Sequence, residues 1–309
     1  MKLFAVSDLH LGCLENREVL DAIPAHPDDW LVLAGDVGER LSHLELALTT
    51  LTPRFRQVVW VPGNHDLWST SSAHGEPRGV AKYETLVELS RDHDVLTPED
   101  PYPVVSFGGV RTRVAPLFLL YDYSFRPPDV SFEEALAWAR ASGVECADEA
   151  LLSPEPYASR AGWCHVRCDS TYRRLAENCE IPTVIANHFP LLESLARTPR
   201  IPRFSLWCGT RRTADWHRRF NVKAVIYGHL HIPSTRYVDG VRFEEVSLGY
   251  PRQWMGRRDP VSCLREILPG PHADAPAHTR GCRAAHGAAS SRLDASLNSN
   301  ASSPKRATN

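Results

Sequence analysis

The 309 residues carry 43% apolar and 23% charged side chains, with 35 basic and 37 acidic groups for a formal charge of −2. This is the balance of a folded globular protein with one large or two modest domains, and it excludes a staple-dependent miniprotein. No apolar run approaches the ~20 residues that span a bilayer. Residues 270–309 hold five basic and two acidic groups, which leaves residues 1–269 at −5, so no basic field announces a nucleic-acid partner.

The first segment, MKLFAVSDLH, turns polar at Ser7, too early for the core of a secretory signal, and a cytoplasmic location is expected. In chain order, apolar runs of strand length fall at Leu3–Val6, Trp30–Ala34, Gln57–Val61, Arg111–Ala115, Pro182–Ala186, Lys223–Tyr227, Ser234–Val238 and Val241–Ser247. Helical patterns lie between them at Glu15–Ala25, Leu41–Leu51, Val80–Asp92, His165–Glu180 and Thr213–Phe220. This alternation predicts α/β crossover units and a largely buried sheet. Asp239-Gly240 between the last two runs predicts a hairpin, so the sheet is mixed.

Residues 121–163 break the strand rhythm with paired prolines and a short amphipathic stretch, and are expected to form a cap-like insertion. The tail, residues 269–309, is poor in large apolar side chains and is expected to be disordered, which leaves residues 1–268 as the folded domain. The eight cysteines include no C-x-x-C pair. Cys164 and Cys168, four residues apart, read as one helix face.

Several runs end in a polar cluster: Asp8-Leu9-His10, Gly35-Asp36, Gly63-Asn64-His65-Asp66, Asn187-His188 and Gly228-His229-Leu230-His231. In open α/β sheets ligands gather beyond the carboxyl ends of strands, where chain reversals leave side chains free to converge. A lone histidine there is ordinarily a hydrogen-bonded loop residue. Carboxylate, amide and imidazole donors together, however, suit a pair of borderline divalent ions such as Mn, Fe or Zn bridged by a shared carboxylate. Trp68 and Trp207 lie beside these segments, where each can belong to the core or line a groove.

The order D-x-H, G-D, G-N-H-D, a lone His and G-H-x-H over residues 1–250 resembles the calcineurin-like metallophosphoesterases. The resemblance implies a sandwich of two mixed β-sheets flanked by helices, and an enzyme that hydrolyses phosphoric esters with two divalent ions, Mn or Fe first and Zn as an alternative. It implies that one ion is held by Asp8, His10 and His231, the other by Asn64, His188 and His229, with Asp36 bridging. His65 is left free to protonate the leaving oxygen or to steady the phosphate. Asp66 either orients that imidazole or is a helix-start carboxylate held by backbone N–H groups.

Segments outside the metal motifs, among them Ala115–Phe125, Leu206–Thr210 and Val241–Ser247, resemble more narrowly the phosphopantetheinyl hydrolases of actinobacteria, with Asp66 where Glu is expected. This implies a phosphodiesterase that removes 4′-phosphopantetheine from an acidic carrier protein. Arg197, Arg200, Arg203, Arg211, Arg212, Arg218 and Arg219 then either dock that carrier or form a solvated face. A generic phosphodiesterase acting on nucleotides, cyclic nucleotides or small diesters keeps the same ligands and differs in its pocket walls. A non-catalytic scaffold of the same fold is expected to have lost ligands, and none is missing here. Neither nucleic acid nor membrane is expected as a partner.

Overall fold

The computed structural model describes residues 1–69 and 77–270. The expected tail lies outside the described residues except for Pro269 and Gly270. The strands are β1 (Leu3–Val6), β2 (His26–Leu33), β3 (Phe55–Trp60), β4 (Val104–Phe107), β5 (Val110–Pro116), β6 (Thr183–Ala186), β7 (Val222–Tyr227), β8 (Ser234–Val238), β9 (Val241–Glu245) and β10 (Arg265–Leu268). The helices are α1 (Leu14–Ala22), α2 (Leu41–Leu51), α3 (Asn64–Leu67), α4 (Gly79–Asp92), α5 (Ala135–Arg140), α6 (Asp148–Leu151), α7 (Arg160–Ala176), α8 (Glu193–Ala196), α9 (Trp216–Arg219) and α10 (Pro251–Trp254).

They build two mixed sheets, ordered β10-β1-β2-β3 and β4-β5-β6-β7-β9-β8. Pairs β1–β2, β2–β3, β5–β6, β6–β7 and β7–β9 are parallel, while β1–β10, β4–β5 and β8–β9 are antiparallel. The period-2 alternation of each strand sorts its side chains into two cores. Leu3, Ala5, Val32 and Val59 meet Val114, Val184, Ala224 and Ile226 between the sheets. Phe4, Val6, Leu31, Leu33, Trp60, Ile185 and Val225 face outward into the layers that cover the sheets. Burial on both faces explains why these strands read as unbroken apolar runs.

Residues 121–163 do not stand apart from the domain. Tyr121, Ala135, Ala139, Leu152 and Trp163 belong to the main core. Glu149 on α6 accepts hydrogen bonds from Tyr123 Oη at 2.9 Å, Arg160 at 3.0 Å and Trp207 Nε1 at 2.8 Å. Arg160 also donates to the carbonyls of Asp148, Glu149 and Leu152, closing the end of that one-turn helix. Trp207 is buried, so it is a core residue and not a groove wall. Cys164 and Cys168 lie buried on one face of α7, as the spacing predicts.

Candidate metal centre

Strands β1, β2, β3, β6 and β7 point their carboxyl ends to one rim, and the polar clusters that follow them converge there. Donor atoms of Asp8, His10 and His231, of His10, Asp36 and His65, and of Asp36, His188 and His229 each fall within 4.8 Å of one another. Asn64 joins them, with its Oδ1 3.1 Å from His229 Nδ1. The seven expected metal ligands are thus brought together, and all but the partly exposed His231 are buried.

The backbone that achieves this is unusual. Asp8, His10, Asp36, His229 and His231 occupy positive φ, between 43° and 71°. Asp and His tolerate this region better than most residues, yet it is sparsely populated, and each such turn swings a side chain back over the strand ends. Two glycines permit the approach: a Cβ at Gly63 would collide with the Asp36 carboxylate, and one at Gly228 with Asp8 and Ser7.

Neighbours fix the ring orientations. His188 Nδ1 donates to the Ala34 carbonyl at 2.9 Å, which leaves Nε2 3.3 Å from Asp36 Oδ2. His231 Nδ1 donates to Gln253 Oε1 at 2.8 Å, which leaves Nε2 2.9 Å from Asp8 Oδ1. Asp8 Oδ2 accepts from Ser7 Oγ at 2.6 Å and Ser247 Oγ at 2.7 Å. Behind Ser247 lies Glu245, fully buried, whose Oε1 is 2.5 Å from the same hydroxyl. Burial and the charge of Asp8 push Glu245 up to about 7.

The donor set fits a pair of divalent cations. His188 Nε2 is buried beside Asp36 without a hydrogen-bond partner, a costly arrangement that a cation would relieve. Ring nitrogens of His10 and His231 also face each other at 3.1 Å. Burial depresses His10 to about 4 and His229 to about 3, holding both in the neutral form a ligand needs. His188 is also buried, but the Asp36 and Asp8 carboxylates outweigh that effect and raise it to about 10, so a proton must leave when an ion enters.

His65 stands at the edge of the cluster, Nε2 3.9 Å from Asp36 Oδ2 and Nδ1 3.3 Å from Glu39 Oε1. Burial opposes its positive charge, but Asp36 and Glu39 prevail and raise its pKa. Trp68 covers the ring at 3.6 Å between centroids. Asp66 does not orient this imidazole. Its carboxylate accepts from the amides of Asp36 at 2.8 Å, Val37 at 3.0 Å, Gly38 at 3.2 Å and Gly63 at 2.8 Å. Four backbone donors saturate the carboxylate, so Asp66 takes the second of its two expected roles, a helix-start carboxylate that also holds the turn carrying Asp36, and the expectation that it orients His65 as a catalytic residue is corrected.

The group on the imidazole is Glu39, which the sequence reading missed although it lies three residues after Asp36. It also missed Gln253, Glu245 and Asp148. Aromatic rings line the rest of the rim: Tyr250 stacks on His10 at 4.4 Å and Phe204 on His229 at 5.5 Å.

A two-sheet sandwich with such a cluster at its strand ends defines a metallophosphoesterase. Residues 1–233 match the calcineurin-like phosphoesterase family, to which the chain belongs. Among characterised proteins it is 50% identical, over 272 residues, to the acyl-carrier-protein phosphodiesterase PptH of Mycobacterium tuberculosis, covering 87% of this chain and 84% of that protein. The crystal structure of phosphopantetheinyl hydrolase PptH from the same organism matches with a TM-score of 0.84 and 49% identity, over 89% of this chain and 98% of the other. Among the described residues no helix is long and apolar enough to cross a membrane.

Proposed function

We propose that this chain hydrolyses the phosphodiester joining 4′-phosphopantetheine to the serine of an acidic carrier protein, in the cytoplasm. The observation that carries the reading is the likeness to the mycobacterial carrier-protein phosphodiesterase, which spans most of both chains together with a complete donor set. Asp8, His10 and His231 would hold one ion and Asn64, His188 and His229 the other, with Asp36 shared by both sets. The mixture of carboxylate, amide and imidazole donors suits Mn or Fe, with Zn as the alternative. Two such ions supply Lewis acidity toward the phosphoryl oxygens and a nucleophile from water at neutral pH.

The chain's own residues do the rest. His65, held by Glu39 and covered by Trp68, gives its proton to the departing serine oxygen, so that a poor alkoxide leaving group departs as an alcohol. The half-buried rings of Trp68, Phe204 and Tyr250 offer apolar walls to the pantetheine arm while Leu230 lies between ligands His229 and His231.

Electrostatic docking of the carrier needs positive charge that is not already neutralised. Arg197 and Arg211 share Glu193, Arg212 pairs with Asp169, Arg218 with Asp239 and Arg219 with Asp215. Arg203 is spent on the Trp138 ring and carbonyl. Of the seven, Arg200 alone has no charged or aromatic partner among the described residues. Beside the site, Arg252 lies over the Tyr250 ring that stacks on His10. Docking therefore draws first on Arg200, which is exposed four residues before Phe204.

The test is mass spectrometry of a holo carrier protein incubated with the enzyme and Mn²⁺. The expected result is loss of the phosphopantetheine mass and recovery of the apo carrier. Rapid hydrolysis of nucleotides or cyclic nucleotides, with no mass change on any carrier, would replace this reading with a generic phosphodiesterase.

A further inference from the structure

Among the expected ligands Asn64 is the one that offers an amide, and an amide can present either its oxygen or its NH₂ to a cation. Only the oxygen can coordinate. The structure contains a device that selects it. Asn64 Nδ2 donates at 2.9 Å to Oδ1 of Asp148, a fully buried carboxylate on α6, 84 residues away in the chain. The same oxygen accepts from Trp68 Nε1 at 2.6 Å. A carboxylate oxygen accepts and does not donate while ionised, so the amide must turn its nitrogen toward Asp148 and its oxygen toward His229, where Oδ1 is found at 3.1 Å.

Asp148 is itself held in place, since Arg160 fastens its carbonyl at 2.7 Å and the neighbouring Glu149 anchors Tyr123 and Trp207. Residues 121–163 are thereby tied through α6 to the metal rim.

We infer that Asp148 is the positioning residue of the second metal site, fixing Asn64 with its oxygen toward the ion. This rests on the reading of Asn64 as a ligand. The chemistry of the second donor set gives the carboxylate a further task. Asn64, His188 and His229 bring no charge of their own beyond the shared Asp36, and an anion behind the amide polarises it and strengthens its oxygen as a donor.

The test is Mn²⁺ titration of the metal-free full chain by equilibrium dialysis with elemental analysis. Asp148→Ala is expected to weaken the second ion by about 10–100-fold, the usual effect of removing a partner of a ligand, and to leave the first ion unchanged. Asp148→Asn keeps an acceptor oxygen but removes the charge, and is expected to weaken the second ion by no more than a few-fold, well short of the alanine variant. Adding Asp148→Ala to Asn64→Ala is expected to cost nothing more, because the effect runs through that amide. Should Asp148→Ala fail to fold, the reciprocal exchange decides. Asn64→Asp alone sets two buried carboxylates against each other and loses the second ion, and Asn64→Asp with Asp148→Asn restores it. Unchanged second-ion affinity in Asp148→Ala, or no rescue by the exchange, overturns the role of Asp148. If Asn64→Ala itself leaves two ions tightly held, the ligand reading fails and the inference with it.

Discussion

The first group of donors, Asp8, His10 and His231, is braced by the sandwich itself: Ser7 follows β1, Ser247 follows β9 and Gln253 sits on α10. The second group leans elsewhere. His188 is fixed by a carbonyl at the end of β2, but Asn64 depends on Asp148, which comes from residues 121–163. One half of the centre is therefore braced by segments that directly follow or flank the strands, and the other in part, through Asn64, by a stretch that interrupts the strand rhythm. The difference teaches that a segment resembling a lid in sequence can serve as the wall against which a ligand is aimed.

Four substitutions sharpen or break this division. Asp36→Asn strikes both halves, because it removes the one carboxylate they share; metal content is expected to fall below one ion per chain, and elemental analysis finding two tightly held ions would refute the bridge. His65→Ala strikes neither half. Metal content should stay near normal while turnover falls by about 10²–10⁴, the range for a positioned proton donor, and a variant with wild-type turnover would remove His65 from the chemistry.

Gln253→Ala is the counterpart of Asp148→Ala. Loss of the acceptor on His231 Nδ1 should weaken the first ion by about 10–100-fold and spare the second, and equal losses at both sites in Mn²⁺ titration would erase the distinction between halves. The smallest effect is expected from Glu39→Gln, which leaves both ions in place and loosens only the imidazole. Turnover should drop by about 10-fold on an alkyl diester, whose leaving oxygen needs a proton, and change little on a nitrophenyl diester. Equal losses on the two substrates would mean that Glu39 supports the fold and not the proton.

Most of the sandwich was legible because its inner strands are buried on both faces, while the exposed edge strand β8 was marked by the Asp239-Gly240 turn after it. The Leu3–Val6 and Ser234–Val238 runs and the Leu41–Leu51 helix coincide with β1, β8 and α2. β4 and β10 escaped: each has four residues at or near a sheet edge, too few for a period to emerge. The helix expected at His165 starts at Arg160, because Ser159 caps it by accepting from the Gly162 amide at 3.0 Å. The helix expected over Thr213–Phe220 shrinks to the single turn α9 after a 3₁₀ turn at Arg211–Thr213.

At the site, the ligands were legible because each ends an apolar run. Their supports were not. Asp148, Gln253 and Glu245 belong to no spacing that chemistry imposes, and the Asn64–Asp148 contact joins residues that only the folded chain brings together. Glu39 was the exception, since its place three residues beyond Asp36, in a turn that doubles back on the site, was a signal available to be read.

The left-handed backbone at Asp8, His10, Asp36, His229 and His231 bears on how such a fold drifts over generations. Conformations of this kind cost of order 1–3 kcal/mol for a side-chain-bearing residue, though less for Asp and His, and glycine removes the penalty. Mutation toward glycine at these turns thus relaxes the backbone in exchange for lost chemistry, set against the cavity that a buried ring such as His229 would leave. Relaxed selection would let sequences slide down that slope toward inert frameworks. In this chain all five turns keep a donor side chain, and bringing those donors to one rim is what the backbone strain secures.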